Sequence, residues 1–141
     1  MLDREKMIAN LSGNNNFKVL ISEAVNELSI EFLNDFSNLL RKSRSINKYP
    51  DLIYLMFWCS KKKIQDYLKD FNSKEIRLGR GLIFHICPAN VPTNFMYSFI
   101  YGLLSGNSNV IKIPSKDSRE KDIIISTLKQ ILNKKKYLKL K

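Results

Sequence analysis

Asn90 sits between Pro88 and Pro92 in the run PANVP, and Lys112, Ser115 and Lys116 follow within KIPSK. An amide held in a proline-stiffened loop is a fixed hydrogen-bond donor, which is what a developing oxyanion needs. Two ammonium groups and a hydroxyl just ahead of a helix N-terminus suit a phosphate. Both clusters fall within or beside Gly81–Ser115, GLIFHICPANVPTNFMYSFIYGLLSGNSNVIKIPS, which carries one charge, Lys112, in a chain with 24 Lys+Arg and 13 Asp+Glu. The stretch contains neither a GxGxxG turn nor a phosphate-loop lysine motif. Nucleotide binding therefore rests on the elements that carry these residues.

Those elements read as strand, helix, strand. Leu82–Cys87 is an apolar run with one histidine, bounded by Gly81 and Pro88, and predicts a buried strand. From Asn94 to about Ser105 the residues Phe95, Phe99 and Leu103 recur every fourth position, the spacing of a helix face. Thr93 or Asn94 can cap its start, and Gly106-Asn107 is a C-terminal stop. Asn109–Ile113 predicts a second strand, ended by Pro114. Residues 82–113 are about the minimum for a right-handed parallel crossover. Strands covered on both faces would account for the missing charge. Parallel sheets bind ligands at the carboxyl ends of their strands, and Pro88–Pro92 and Lys112–Lys116 lie at those ends.

The flanking chain reads as helical. A short first helix and a loop at Ser12–Asn16 lead to a stripe of Leu20, Ala24, Leu28, Phe32, Phe36 and Leu39, which predicts one amphipathic helix from Phe17 to about Arg44. Pro50 can open the next helix. The apolar octet Leu52–Cys59 is a helix or a buried strand, and periodicity does not decide between them. Asp117-x-x-Glu120 opens a last helix with Ile124, Leu128, Ile131 and Leu132 inward. The expected organisation is a helical region over 1–75, a β-α-β-α unit over 76–133 and a basic tail over 134–141, frayed at its end. The fold class is α/β.

Charge is spread unevenly, with 14 basic and 10 acidic residues in 1–80 against 9 and 3 in 115–141. That pattern predicts a lysine-rich solvated surface. The tail KKKYLKLK leaves one alternative function: a non-catalytic basic module touching nucleic acid or a protein partner. Two cysteines, Cys59 and Cys87, make no disulfide framework and no metal motif. No apolar run is long enough to span a bilayer, and the start MLDREKMIAN is not a signal peptide. A soluble cytoplasmic protein is expected. His85 reads as a satisfied core histidine, with Phe84 and Ile86 facing the opposite side. Trp58, Phe95, Tyr97, Phe99 and Tyr101 read as packing residues, and Cys87 as an ordinary small strand residue.

At the motifs themselves the chain resembles the aldehyde dehydrogenase superfamily. Its cofactor-binding half carries a strand, a P-x-N-x-P loop, a helix ending in Gly-Asn, and a strand ending in lysine. Here these are Pro88–Pro92, Gly106-Asn107 and Lys112. HICPANVPTNF…GLLSGNSNVIKIPSK, with DLIYLMFWCSKK upstream, resembles more specifically the acyl-CoA reductases, which include the long-chain fatty-acid reductase subunit of bacterial bioluminescence. The match is strong over about Tyr49–Ser118. The resemblance implies a Rossmann-like parallel sheet and aldehyde formation from an acyl-CoA through a cysteine thioester. It makes Asn90 the catalytic oxyanion amide and Pro88, Ala89, Lys112, Ser115 and Lys116 the cofactor-binding set. Lys112 would contact the adenosine ribose. Ser115 stands where NAD-preferring relatives have a glutamate, so with Lys116 alongside, NADPH is the expected cofactor. Ala89 replaces the superfamily's usual tryptophan, a departure that leaves the acyl-CoA branch intact.

Neither Cys59 nor Cys87 matches the family's nucleophile, which lies farther downstream. The expectation is therefore the N-terminal portion of a reductase, either a truncated or frame-shifted product or one half of a split enzyme. Its expected partners are an acyl-CoA or acyl-thioester substrate and the remaining part of the enzyme or a second copy. The chain alone is expected to be inactive.

Overall fold

The computed structural model describes residues 19–69 and 75–140. Five α-helices and two strands follow in order: α1 (Glu27–Lys42), α2 (Pro50–Trp58), α3 (Lys61–Leu68), β1 (Leu82–Ile86), α4 (Asn94–Leu104), β2 (Ser108–Lys112) and α5 (Arg119–Leu132). Short 3-10 turns stand at Ile46–Lys48 and Lys135–Leu140. The fold is α/β, with helices first and a two-stranded parallel sheet after them.

Local chemistry sets the helix starts. The Asn26 side chain accepts from the Ser29 amide at 3.0 Å and opens α1. Pro50 takes the first turn of α2, where its missing N–H costs nothing. Ser118 accepts from the Lys121 amide at 3.1 Å and opens α5, so the cap lies one residue beyond Asp117. The octet Leu52–Cys59 is helical: Leu52, Leu55 and Met56 are buried at helical spacing, with Cys59 closing the turn.

The helix expected from Phe17 begins ten residues later. Val25 has φ 59°, a left-handed conformation costly for a β-branched residue, and it interrupts any helix there. The segment before it spends its backbone on other parts of the chain. Ser22 N–H donates to Gly106 O (3.0 Å), Ala24 N–H to Arg77 O (2.7 Å), and Val25 N–H to Leu104 O (2.7 Å). Leu20 is consequently exposed rather than in the core. The expected first helix and the Ser12–Asn16 loop lie outside the described residues.

The core is built around α1. Phe32, Leu33, Phe36 and Leu40 are at most 1% exposed, and α1 packs on α2, α4 and α5. These helices contribute Leu52 and Leu55, Phe95, Met96 and Ile100, and Ile124, Leu128 and Ile131. Burying one side chain of this size contributes about 1.5–3 kcal/mol.

The described part of the tail, residues 134–140, is not frayed. Tyr137 is fully buried, its ring edge-on to Phe32 at 5.2 Å and its hydroxyl donating to Asp35 Oδ2 at 3.0 Å. Lys134 and Lys136 pair with Asp35 and Glu31 of α1. The basic stretch is thus folded back onto acids of the same chain.

Candidate active site

The sheet is a parallel pair in the register Leu82↔Ser108 to Ile86↔Lys112. Its amino end is tied by one side chain, since Asn107 Oδ1 accepts from the Arg80 and Gly81 amides at 2.6 and 3.1 Å. Gly106, at φ 78°, turns the chain out of α4 into this position. A Cβ there would lie 2.3 Å from Ser22 O. The Gly-Asn pair therefore ends the helix and aligns the start of both strands.

One sheet face is covered by α4. His85 is buried, with Nδ1 2.7 Å from Ser98 Oγ on α4 and Nε2 2.8 Å from Asn109 Oδ1 on β2. Asn109 Nδ2 donates to Asn107 O at 2.7 Å, which leaves Oδ1 to accept from the ring. In the neutral ring Nε2 carries the hydrogen and Ser98 donates to Nδ1. Both nitrogens are spent, so His85 is a structural histidine, as its placement among apolar residues implies.

The other face corrects the expectation of a buried strand. Leu82, Phe84 and Ile86 are 44, 51 and 70% exposed. The missing charge in β1 therefore does not reflect cover on both sides. It accompanies an open apolar stripe.

The two clusters end at the same edge of the sheet. Beyond β1 come half-buried Cys87, exposed Pro88 and a turn at Ala89–Asn90, with the Asn90 side chain exposed. Lys112 is the last residue of β2, opposite Ile86, and is exposed. Pro114 is buried, while Ser115 and Lys116 are exposed just ahead of α5. All six residues picked out by sequence thus lie at or just past the carboxyl ends of adjacent parallel strands.

A seventh residue shapes this end and escaped the sequence reading. Lys121, only 8% exposed, directs its ammonium back over the first turn of α5. It donates to Lys116 O (2.8 Å), Asp117 Oδ1 (3.2 Å) and Pro114 O (3.3 Å). Its three hydrogens meet three acceptors, so the loop bearing Ser115 and Lys116 is closed around a buried cation. Asp117 at the fourth position before it was the one available signal.

The two cysteines differ in access. Cys59 is fully buried, and burial pushes its thiol well above the ordinary range. Cys87 is partly covered at the end of β1. Among the described residues no cluster of His, Cys, Asp and Glu could hold a metal ion, and no helix is long and apolar enough to cross a membrane.

No curated protein and no solved structure matches the chain. The family model of the acyl-CoA reductases (LuxC) does, over residues 20–139, a span that takes in the helices around α1, both strands and both clusters. The chain belongs to the acyl-CoA reductase (LuxC) family.

Proposed function

We propose that this chain supplies the cofactor-binding strand pair of an NADPH-dependent reductase that turns a fatty acyl thioester into an aldehyde. The observation that carries the reading is the joint position of Asn90 and Lys112, exposed at the carboxyl ends of two paired parallel strands, Lys112 as the last residue of β2 and Asn90 four residues past β1. The residues fit a dinucleotide phosphate. Lys112, Ser115 and Lys116 are exposed ahead of a helix N-terminus. The nearest acid, Asp117, is engaged by Lys121.

In this reading Lys112 holds the adenosine ribose, and Lys116 with Ser115 holds the 2′-phosphate. Pro88 and Ala89 form the wall against the cofactor. NADPH, when bound, supplies the hydride. Asn90 donates its amide N–H to the carbonyl oxygen of the thioester, stabilising the charge that develops there. Neither cysteine of this chain carries the acyl group. A thiolate from outside it displaces the coenzyme A thiol, and after reduction that thiolate leaves as the aldehyde departs.

The test is a comparison of NADPH and NADH dissociation constants for the purified chain and for Lys116→Glu. The wild-type chain should favour NADPH by about tenfold or more, a difference of about 1.4 kcal/mol, and the variant should lose the preference. Equal or tighter NADH binding overturns the reading. The alternative of a basic binding module gains no support, because Lys134 and Lys136 are turned onto Asp35 and Glu31.

A further inference from the structure

A cavity of about 470 Å³ opens at the amino end of the sheet, away from the strand-end clusters. Arg80, which lies two residues before β1, and Asn107, which directly precedes β2, both line it. Asn90 and Lys112 lie at the other ends of those strands, and a five-residue strand is about 16 Å long. The cavity is therefore a different site from the one assigned to the nucleotide, and it stands whether or not that assignment holds.

Its walls are hydrocarbon and aromatic. Trp58 ends α2 and stacks on Tyr67 of α3 at 4.6 Å and 22°. Ile100, Tyr101 and Leu104 form the wall from α4, with Tyr101 edge-on to Trp58 at 6.3 Å. Tyr67 and Tyr101 are 56 and 59% exposed, which marks an open groove rather than a sealed core void. The cationic residues that line it come from one segment. Arg77 and Arg80, from the segment entering β1, both line the groove and are exposed at its mouth. Arg77 also meets Glu75 at 3.3 Å. The volume is that of a small-molecule site, and an apolar trough with a cationic lip is complementary to one chemical class.

The geometry points to this groove as a binding site for a single-chain amphiphile with an anionic head. The hydrocarbon lies along Trp58 and the α4 face, and the head meets Arg77 and Arg80. Each methylene buried there contributes about 0.8 kcal/mol, so two carbons tighten binding by roughly tenfold until the groove is full.

Trp58 is the single tryptophan of the chain and lies in the wall, so its emission reports occupancy directly. The purified chain is titrated with octanoate, decanoate and dodecanoate below their micelle concentrations, and with decan-1-ol as the neutral analogue. Saturable changes in emission are expected, tightening along the series and then levelling off, with decan-1-ol about tenfold weaker than decanoate. Arg80→Glu, on an exposed side chain, should weaken decanoate by about tenfold. Tyr101→Ala should weaken it as well, and Phe84→Lys on the open sheet face should leave it unchanged. Non-saturating titrations overturn the site. So does a decanoate affinity indifferent to both Arg80→Glu and Tyr101→Ala, or lost equally in Phe84→Lys.

Discussion

His85 Nε2 and Asn109 Oδ1 lie 2.8 Å apart across the two paired strands, directly beneath Gly102 of α4. This polar bridge binds the sheet to its covering helix, and the glycine is what allows them to approach. A Cβ on Gly102 would lie 2.0 Å from Asn109 Oδ1 and 3.1 Å from His85 Nε2.

Gly102→Ala should therefore destabilise the chain, although alanine in a helix normally gains about 1 kcal/mol over glycine. Overpacking costs about 1–3 kcal/mol. Leaving the His85 partner unsatisfied adds a cost of similar size. Urea unfolding midpoints should fall for Gly102→Ala, and a double variant with Asn109→Ala should recover part of the loss. A stabilised Gly102→Ala would refute the close packing.

The docking of Tyr137 should make stability fall in acid. Burial by itself pushes the Asp35 carboxyl up, but hydrogen bonds from Lys134, Tyr137 and Lys136 prevail and hold it below the ordinary carboxylate range. A carboxylate lowered on folding contributes stability that is present above its unfolded value, about 3.9, and is lost as pH falls through the folded value. Thermal melts from pH 7 down to pH 2.5 should show wild type falling below about pH 4. Asp35→Asn should start lower at pH 7 and change less over that interval. Parallel curves would remove Asp35 from the account. Tyr137→Ala should cost about 3 kcal/mol or more, because it empties a fully buried aromatic site.

Lys121→Met keeps most of the side chain's length and loses all three donors. Pro114 O and Lys116 O are left without the ammonium, so the loop over 114–117 should loosen. Trypsin should cut after Lys116 at least several times faster than in wild type, with a modest loss of about 1–3 kcal/mol in stability. NADPH affinity should fall together with loop order. Unchanged cleavage at Lys116 would show that the loop holds its shape without the buried cation.

The stripe Leu82, Phe84 and Ile86 should drive self-association. Light scattering coupled to gel filtration should find the chain larger than its 16.5 kDa mass, increasingly so with concentration. Phe84→Lys should shift it toward that mass without lowering the unfolding midpoint by more than about 0.5 kcal/mol equivalent. A concentration-independent 16.5 kDa species in the wild type would contradict this.

The strand–helix–strand core of this fold was legible because its signals are local. Pro88 and Pro114 bound the strands, Gly106 ends α4 at a positive φ, and Pro50 opens α2. The strand-end position of Asn90 and Lys112 followed from that order. What escaped depends on tertiary partners. Leu20 and Ala24 have helical spacing, yet the amides of Ser22, Ala24 and Val25 bond to Gly106, Arg77 and Leu104, none of them near in sequence. Leu82, Phe84 and Ile86 look like core residues in sequence, and composition does not say which face of a strand is covered. Lys121 reads as a solvated helix residue until Pro114 and Lys116 are folded over it. The arginine-lipped groove joins four separate segments, so no window of sequence displays it.

Each of the two strands has one neighbour among the described residues. Along Leu82–Ile86 and Ser108–Lys112, the backbone groups turned away from that neighbour have no ladder to join. Deuterium uptake should consequently be split within each strand, slow at amides directed inward and fast at those directed outward. A further strand laid along either flank would erase the fast half on that side, so the rhythm of labelling reads out whether the sheet has been extended.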